Sequence, residues 1–206
     1  MNRFAITIAR QYGSGGLVIG KKIACDLGVS FYDKELIEIA AKKSGLGKEF
    51  IEKSDEKLNL MGFFGGVSGA IFSSFGLEYG QNINDSVFQI QSDIIRALAR
   101  KESAVFVGRC ADYVLRDCAG ALNVFICANL QDRIETVSRK RSITQEQALK
   151  EIEISEKERN KYYSYYTNIE RGCACHYHLC INSSVLGFDG TANFIKDFAR
   201  RKFKML

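Results

Sequence analysis

Three glycines in four positions, Gly13-Ser14-Gly15-Gly16, stand between an apolar run and a helical pattern, and that placement narrows the folds open to this chain. Phe4 to Ala9, Phe-Ala-Ile-Thr-Ile-Ala, is rich in β-formers and reads as a short buried strand. From Gly15 or Gly16 the spacing turns helical, with Leu17, Ile19, Ile23, Ala24 and Leu27 on one broad apolar side. Gly28 is suited to end that helix. A strand, a glycine turn and a helix in this order make a phosphate site for a physical reason. Amides left unpaired at the helix start point at the ligand, the helix dipole favours negative charge, and glycine lets the backbone come close. Arg10, Tyr12, Gly13, Ser14, Gly15 and Gly16 are therefore the expected phosphate-binding residues.

The usual signature of such a loop, GxxxxGK[ST], fits in two registers. Gly15 to Lys21 matches it literally, with Lys22 next, but leaves only about two helical turns before Gly28. Placed directly after the strand, the signature instead puts Arg10 at its first glycine, Gly15 at its second and Gly16 at its lysine. Leu17 and Val18 then fall where a hydroxyl would hold a metal ion. In this register, which we adopt, the loop keeps its shape and lacks both lysine and hydroxyl. Arg10 and Lys21 are the side chains that could supply the missing charge, and their reach into the loop decides between them.

Downstream, Val29 to Tyr32 offers a second strand, and Asp33 can cap a helix from Lys34 to Lys43. Val87 to Arg100 reads as an amphipathic helix, Ala104 to Val107 as a strand ending at the turn Gly108-Arg109, and Leu122 to Ala128 as a fourth strand. A polar helix is expected from about Leu130, a long charged one from Thr144 to about Tyr166, a strand at His178 to Ile181 and a last helix at Thr191 to Phe203. Short apolar strands alternating with helices predict an α/β fold with a mostly parallel sheet flanked by helices. The 206 residues suit a single domain. With 46% hydrophobic and 26% charged residues, a disordered chain or a coiled coil is excluded.

The net charge of +5 is mild and spread along the chain, which suits a phosphorylated small molecule without requiring nucleic acid. Seven cysteines and a start at Met-Asn-Arg-Phe without an apolar leader point to the reducing cytoplasm. Leu58 to Leu77 carries no charge and has about the length of a membrane span, roughly 20 residues. Its glycines, Gly62, Gly65, Gly66, Gly69 and Gly76, weaken a helix, so the segment 58–80 is expected to be a mobile flap or a homodimer surface rather than a membrane anchor.

The run ITIARQYGSGGLVIGKKIACDLGVSFYDKE at Ile6 to Glu35, with VGRCADYVLRD at Val107 to Asp117 and KERNKYYSYYT at Lys157 to Thr167, resembles the cytidylate kinase-like family of P-loop proteins. The likeness runs in order over nearly the whole chain. It implies a P-loop nucleoside monophosphate kinase fold with ATP as donor, Mg²⁺, a CMP-like or related small acceptor, and an arginine-rich lid at 130–168. Phosphoryl transfer is largely positioning and charge neutralisation, so several cations are needed around in-line phosphates. Arg109 is similar to the arginine with which cytidylate kinases hold the acceptor, although Gly-Arg-Asp there is Gly108-Arg109-Cys110 here, with the carboxylate at Asp112. Asp33 matches a second acceptor position, and Arg133, Arg139, Arg141 and Arg159 match the lid. The alternative is a nucleotide-binding module with little catalysis, since lysine and hydroxyl are both missing.

Cys173, Cys175, His176, His178 and Cys180 invite a metal reading. On an extended chain, however, Cys173 and Cys175 share one face and the other three the opposite one, so no metal site is expected. Cys110 beside Arg109 is expected to be inert. Tyr162, Tyr163, Tyr165 and Tyr166 are expected to pack rather than to stack on bases.

Overall fold

The computed structural model describes residues 3–34 and 77–205. The chain forms two compact units, Met1–Asp33 with Arg96–Leu206, and Lys34–Ile95. In the first unit, β1 (Ala5–Arg10), β2 (Ser30–Tyr32), β3 (Ala104–Val107), β4 (Ala121–Cys127) and β5 (Leu179–Asn182) form one sheet in the order β2-β3-β1-β4-β5. Every pairing is parallel, for example Ile8 opposite Val107 on one side and Val124 on the other. The predicted α/β class and parallel sheet are observed.

Alternation along β1 explains why the sheet is covered on both faces. Ile6 and Ile8 point to one side, where they pack with Val105, Val107, Leu122 and Val124 against helix α1 (Gly16–Leu27) and the C-terminal helix. Ala9 points to the other side and packs with Phe125 and Tyr177. Each isoleucine taken fully out of water contributes roughly 1.5–3 kcal/mol, so this layer holds the sheet whose ends carry the site.

Helix α1 ends as expected: Gly28 is left-handed, with φ 64°, and its amide donates to the carbonyls of Ala24 and Cys25. Helix α2 (Leu77–Lys101) begins well before the Val87 expected from the apolar pattern. The flap and dimer expectation for 58–80 otherwise lies outside the described residues, as does the helix expected at Lys34 to Lys43. Among the described residues no helix is long and apolar enough to cross a membrane.

After β3 comes the short helix α3 (Ala111–Val114), and after β4 the helices α4 (Leu130–Arg141) and α5 (Gln145–Thr167). These last two pack through Ile134, Val137, Ala148 and Ile152, with Tyr12 of the glycine turn against them. Thr144 caps α5 reciprocally with Gln147, a capping box that explains the sharp start. The last helix, α6 (Ser183–Phe203), starts earlier than the expected Thr191, but it is broken at Gly187 (φ 65°, ψ 178°), so the regular part follows that break.

Candidate functional site

In a parallel sheet, ligands bind beyond the carboxyl ends of the strands where the strand order reverses, and here β1 lies at that point. The glycine turn follows β1 directly. Gly13 and Gly15 have φ 85° and 77°, a conformation that disfavours side chains. Space makes the same demand. A Cβ on Gly13 would lie 2.9 Å from the backbone oxygen of Arg133, and one on Gly15 would run into the ring of Phe188. Helix α1 starts at Gly16, and among the described residues the amides of Gly13, Gly15 and Gly16 have no backbone partner.

Side chains from distant segments hold the turn. Gln11 accepts from the Ala128 amide at 3.1 Å, and Ser183 Oγ donates to the Ser14 carbonyl at 2.9 Å. Glu156 Oε1 accepts from the Tyr12 amide at 2.6 Å, while Arg133 Nε donates to the Tyr12 carbonyl at 2.7 Å. Glu156 also pairs with Arg171 and, at 3.5 Å, with Arg133. The ring of Tyr12 lies under the Arg159 guanidinium, 5.1 Å from it, and its hydroxyl donates to Glu151.

Around this frame the guanidinium groups of Arg10, Arg109, Arg159 and Arg171 come together, close enough for the other three to disfavour the charge on Arg10. Arg159 and Arg171 both donate to the Arg10 carbonyl, at 3.2 and 2.9 Å. Burial, followed by the repulsion of Arg159, Arg171 and Arg109, pulls the Arg10 guanidinium down to about 9, and only Asp33 opposes this. Burial likewise lowers Arg159, against the support of Glu156. Within this cluster Glu156 pairs directly with Arg171. The concentrated positive charge suits a phosphate-bearing anion.

Residues Gly108, Arg109 and Cys110 are left-handed in succession, with φ of 82°, 56° and 52°. A non-glycine residue held there costs of order 1–3 kcal/mol, and the pair presents Arg109 at the end of β3 beside Tyr162. Burial pushes the Tyr162 hydroxyl up to about 12. Cys110 is buried and its thiol is also pushed up to about 12, first by burial and then by Asp112, which keeps it a neutral thiol.

Several expected site residues are placed elsewhere. Asp112 is turned into the interior, where Tyr163 donates to it at 2.6 Å and burial raises its pKa from the ordinary carboxylate value. Arg133 is buried as a clamp on the turn, because its Nε is committed to Tyr12. Arg139 lies exposed in a shallow hollow with Asp132, Glu135 and Gln145, and Arg141 pairs with Glu151 at 3.2 Å. Arg10, Tyr12, the glycines, Arg109 and Arg159 are brought together, with Asp33 acting electrostatically on Arg10. Glu156 stands in the charged run Glu156-Lys157-Glu158-Arg159 and Arg171 next to Glu170, so nothing in the sequence sets either apart, and only their convergence marks them.

Of the tyrosines expected to pack, Tyr163 is buried and Tyr162 and Tyr166 meet edge to face at 4.8 Å, whereas Tyr165 is exposed. The Cys/His segment is not extended as expected, since Ala174–His176 is a 3₁₀ turn. It gathers Cys173, Cys175 and His176 with ligand atoms within 4.8 Å of one another. At the glycine turn no such donors converge: Leu17 and Val18 are apolar, and Ser14 Oγ donates to the Gln11 carbonyl at 3.0 Å. The described residues there do not fit a protein-held Mg²⁺.

A crystal structure of an uncharacterized protein from Eubacterium ventriosum ATCC 27560 is similar to this chain at 23% identity and TM-score 0.72, with 96% of this chain and 98% of that one covered. Shikimate kinase from Bacteroides thetaiotaomicron is similar at 11% identity and TM-score 0.51, covering 95% and 97%. A gluconokinase from Sinorhizobium meliloti 1021 is similar at 14% identity and TM-score 0.50, covering 100% of both chains. At these identities the likeness is one of fold, and the fold is that of P-loop NTPases. Among curated proteins none matches this chain in sequence. Residues 5–185 match the model of the cytidylate kinase-like family, and the chain belongs to that family.

Proposed function

We propose that this protein is a phosphotransferase that moves the γ-phosphoryl group of ATP to a nucleoside monophosphate or a related small phosphorylated acceptor. One observation carries the reading: Arg10, Arg109, Arg159 and Arg171 converge beside a glycine turn in which the Gly13, Gly15 and Gly16 amides have no backbone partner among the described residues. The turn amides would hold the donor phosphates, and Arg109, at the end of β3, would hold the acceptor. Arg159 would neutralise charge between the two, at the edge where the loop meets α5. A preorganised donor aimed at developing charge is worth about a hundredfold or more in rate. Seven unpaired cysteines support action in a reducing cytoplasm.

The test is release of ADP from ATP measured against a panel of nucleoside monophosphates and small phosphorylated acceptors. Turnover with one acceptor class, lost in Arg109→Ala while ATP binding persists, supports the reading. ATP binding without turnover on any acceptor overturns it in favour of a nucleotide-binding module, which the absence of a lysine at Gly16 favours.

A further inference from the structure

The negative charge of a triphosphate needs a cation at the loop, and the lysine that normally follows the second glycine of the signature is replaced here by Gly16. Lys21 does not reach the loop, because its ammonium sits over the Phe31 ring at 5.6 Å. Lys22 is paired with Asp189 at 3.2 Å. Arg10, by contrast, crosses the loop from inside. A Cβ on Gly16 would lie 2.7 Å from the Arg10 Cβ and 2.8 Å from its Cγ, so the stem of Arg10 occupies the space into which a side chain at the lysine position would grow. Its guanidinium rests on Gly108 (φ 82°), closely enough that a Cβ there would collide with Nη1.

We propose that Arg10 takes the place of the missing P-loop lysine, entering from the first position of the loop, with Gly16 and Gly108 kept free of side chains to let it through. The proposal rests on the reading of the turn as an ATP site. Two features support it together: a path bounded by two glycines, and both lysines engaged elsewhere. An arginine offers a planar fork in place of a point charge, so it can bridge oxygens of adjacent phosphates. In the transfer, the acceptor oxygen bonds to the γ-phosphorus as the bond to the β–γ bridging oxygen breaks, and that electron pair leaves on ADP. Arg10 would neutralise the departing charge without exchanging a proton. Its carbonyl, held by Arg159 and Arg171, fixes where the side chain starts.

The decisive comparison is between Arg10→Ala, Gly16→Lys and the double variant, with ATP affinity followed by a fluorescent ATP analogue alongside turnover. Arg10→Ala should weaken ATP binding about tenfold or more and slow turnover about a hundredfold, on the scale of a lost transition-state donor. Gly16→Lys alone should be impaired, since its stem meets that of Arg10. The double variant, with the stem removed and the lysine restored, should recover at least about tenfold in both readouts over either single change, because the cation is back in place. Arg10→Gln, of similar bulk, serves if Arg10→Ala does not fold. Normal ATP binding and turnover in both Arg10 variants, or no recovery in a folded double variant, overturns the proposal and leaves the ATP reading intact. A wild-type protein that binds no ATP overturns both.

Discussion

Arg171 donates through Nη1 to the main-chain carbonyl of Arg10 at 2.9 Å, joining residues 161 positions apart in the sequence. Its Nε donates to Asn160 at 2.8 Å and its Nη2 pairs with Glu156, so a single guanidinium serves three partners on two segments, β1 and α5. The side chain is only 7% exposed, which removes most of the solvent screening that weakens surface ion pairs. The start of the Arg10 side chain is therefore set by a residue that the glycine turn gives no hint of.

Because those three bonds need a planar fork, lysine is a poor substitute at this position. Arg171→Lys is expected to lose about 1–3 kcal/mol of stability, the cost of leaving buried hydrogen-bond partners unmade. Urea denaturation of the two proteins measures it, and equal midpoints would contradict the role assigned to the fork.

Glu156 is the carboxylate shared by Arg133 and Arg171, and it also accepts from the Tyr12 amide. Glu156→Gln keeps an oxygen for that amide while removing the charge. Leaving buried cations without a partner costs about 3–5 kcal/mol, and a multivalent anion should restore part of it. Thermal denaturation in the presence and absence of inorganic phosphate is the check: a larger phosphate-induced rise in Tm for the variant than for the wild type is expected.

Gly15→Ala meets two obstacles, the left-handed φ of 77° and the Phe188 ring. A destabilisation of roughly 1–3 kcal/mol is expected from the backbone alone, with further loss from the clash. In a double-mutant cycle, Phe188→Ala should relieve the second part and not the first. Additive effects of the two changes would show that the ring does not press on the loop.

The carboxyl of Asp112 is raised above its ordinary value by burial, which outweighs the hydrogen bond from Tyr163. Between the ordinary and the raised value the folded protein holds a proton that the unfolded chain has lost, so this group's contribution is full below the ordinary value and is lost as pH rises through the raised one. Asp112→Asn has no such proton and keeps an acceptor for Tyr163. It should flatten that part of the pH dependence and match or exceed the wild type near neutrality. Asp112→Ala, which orphans the Tyr163 hydroxyl, should lose about 1–3 kcal/mol. Chemical denaturation from about pH 4 to about pH 8 tests both, starting near the ordinary carboxylate value.

Sequence by itself determined the parts of this protein whose physics is local. Alternation in Ile6 to Ala9, the 3.6-residue spacing after Gly16, the stop at Gly28 and the Thr144–Gln147 capping box each follow from neighbouring residues. So did the register of the glycine turn, which set aside the literal match ending at Lys21. Tertiary structure decided which charges meet. It turned Asp112 inward to Tyr163, made Arg133 a clamp, left Arg139 at the surface, and brought Glu156 and Arg171 to the loop. It also folded Cys173 to His176 into a 3₁₀ turn that an extended-chain pattern could not foresee. The reason is one of distance. Periodicity and caps are written within a few residues, whereas the field at this site is summed over side chains that only packing of the sheet and its helices makes neighbours.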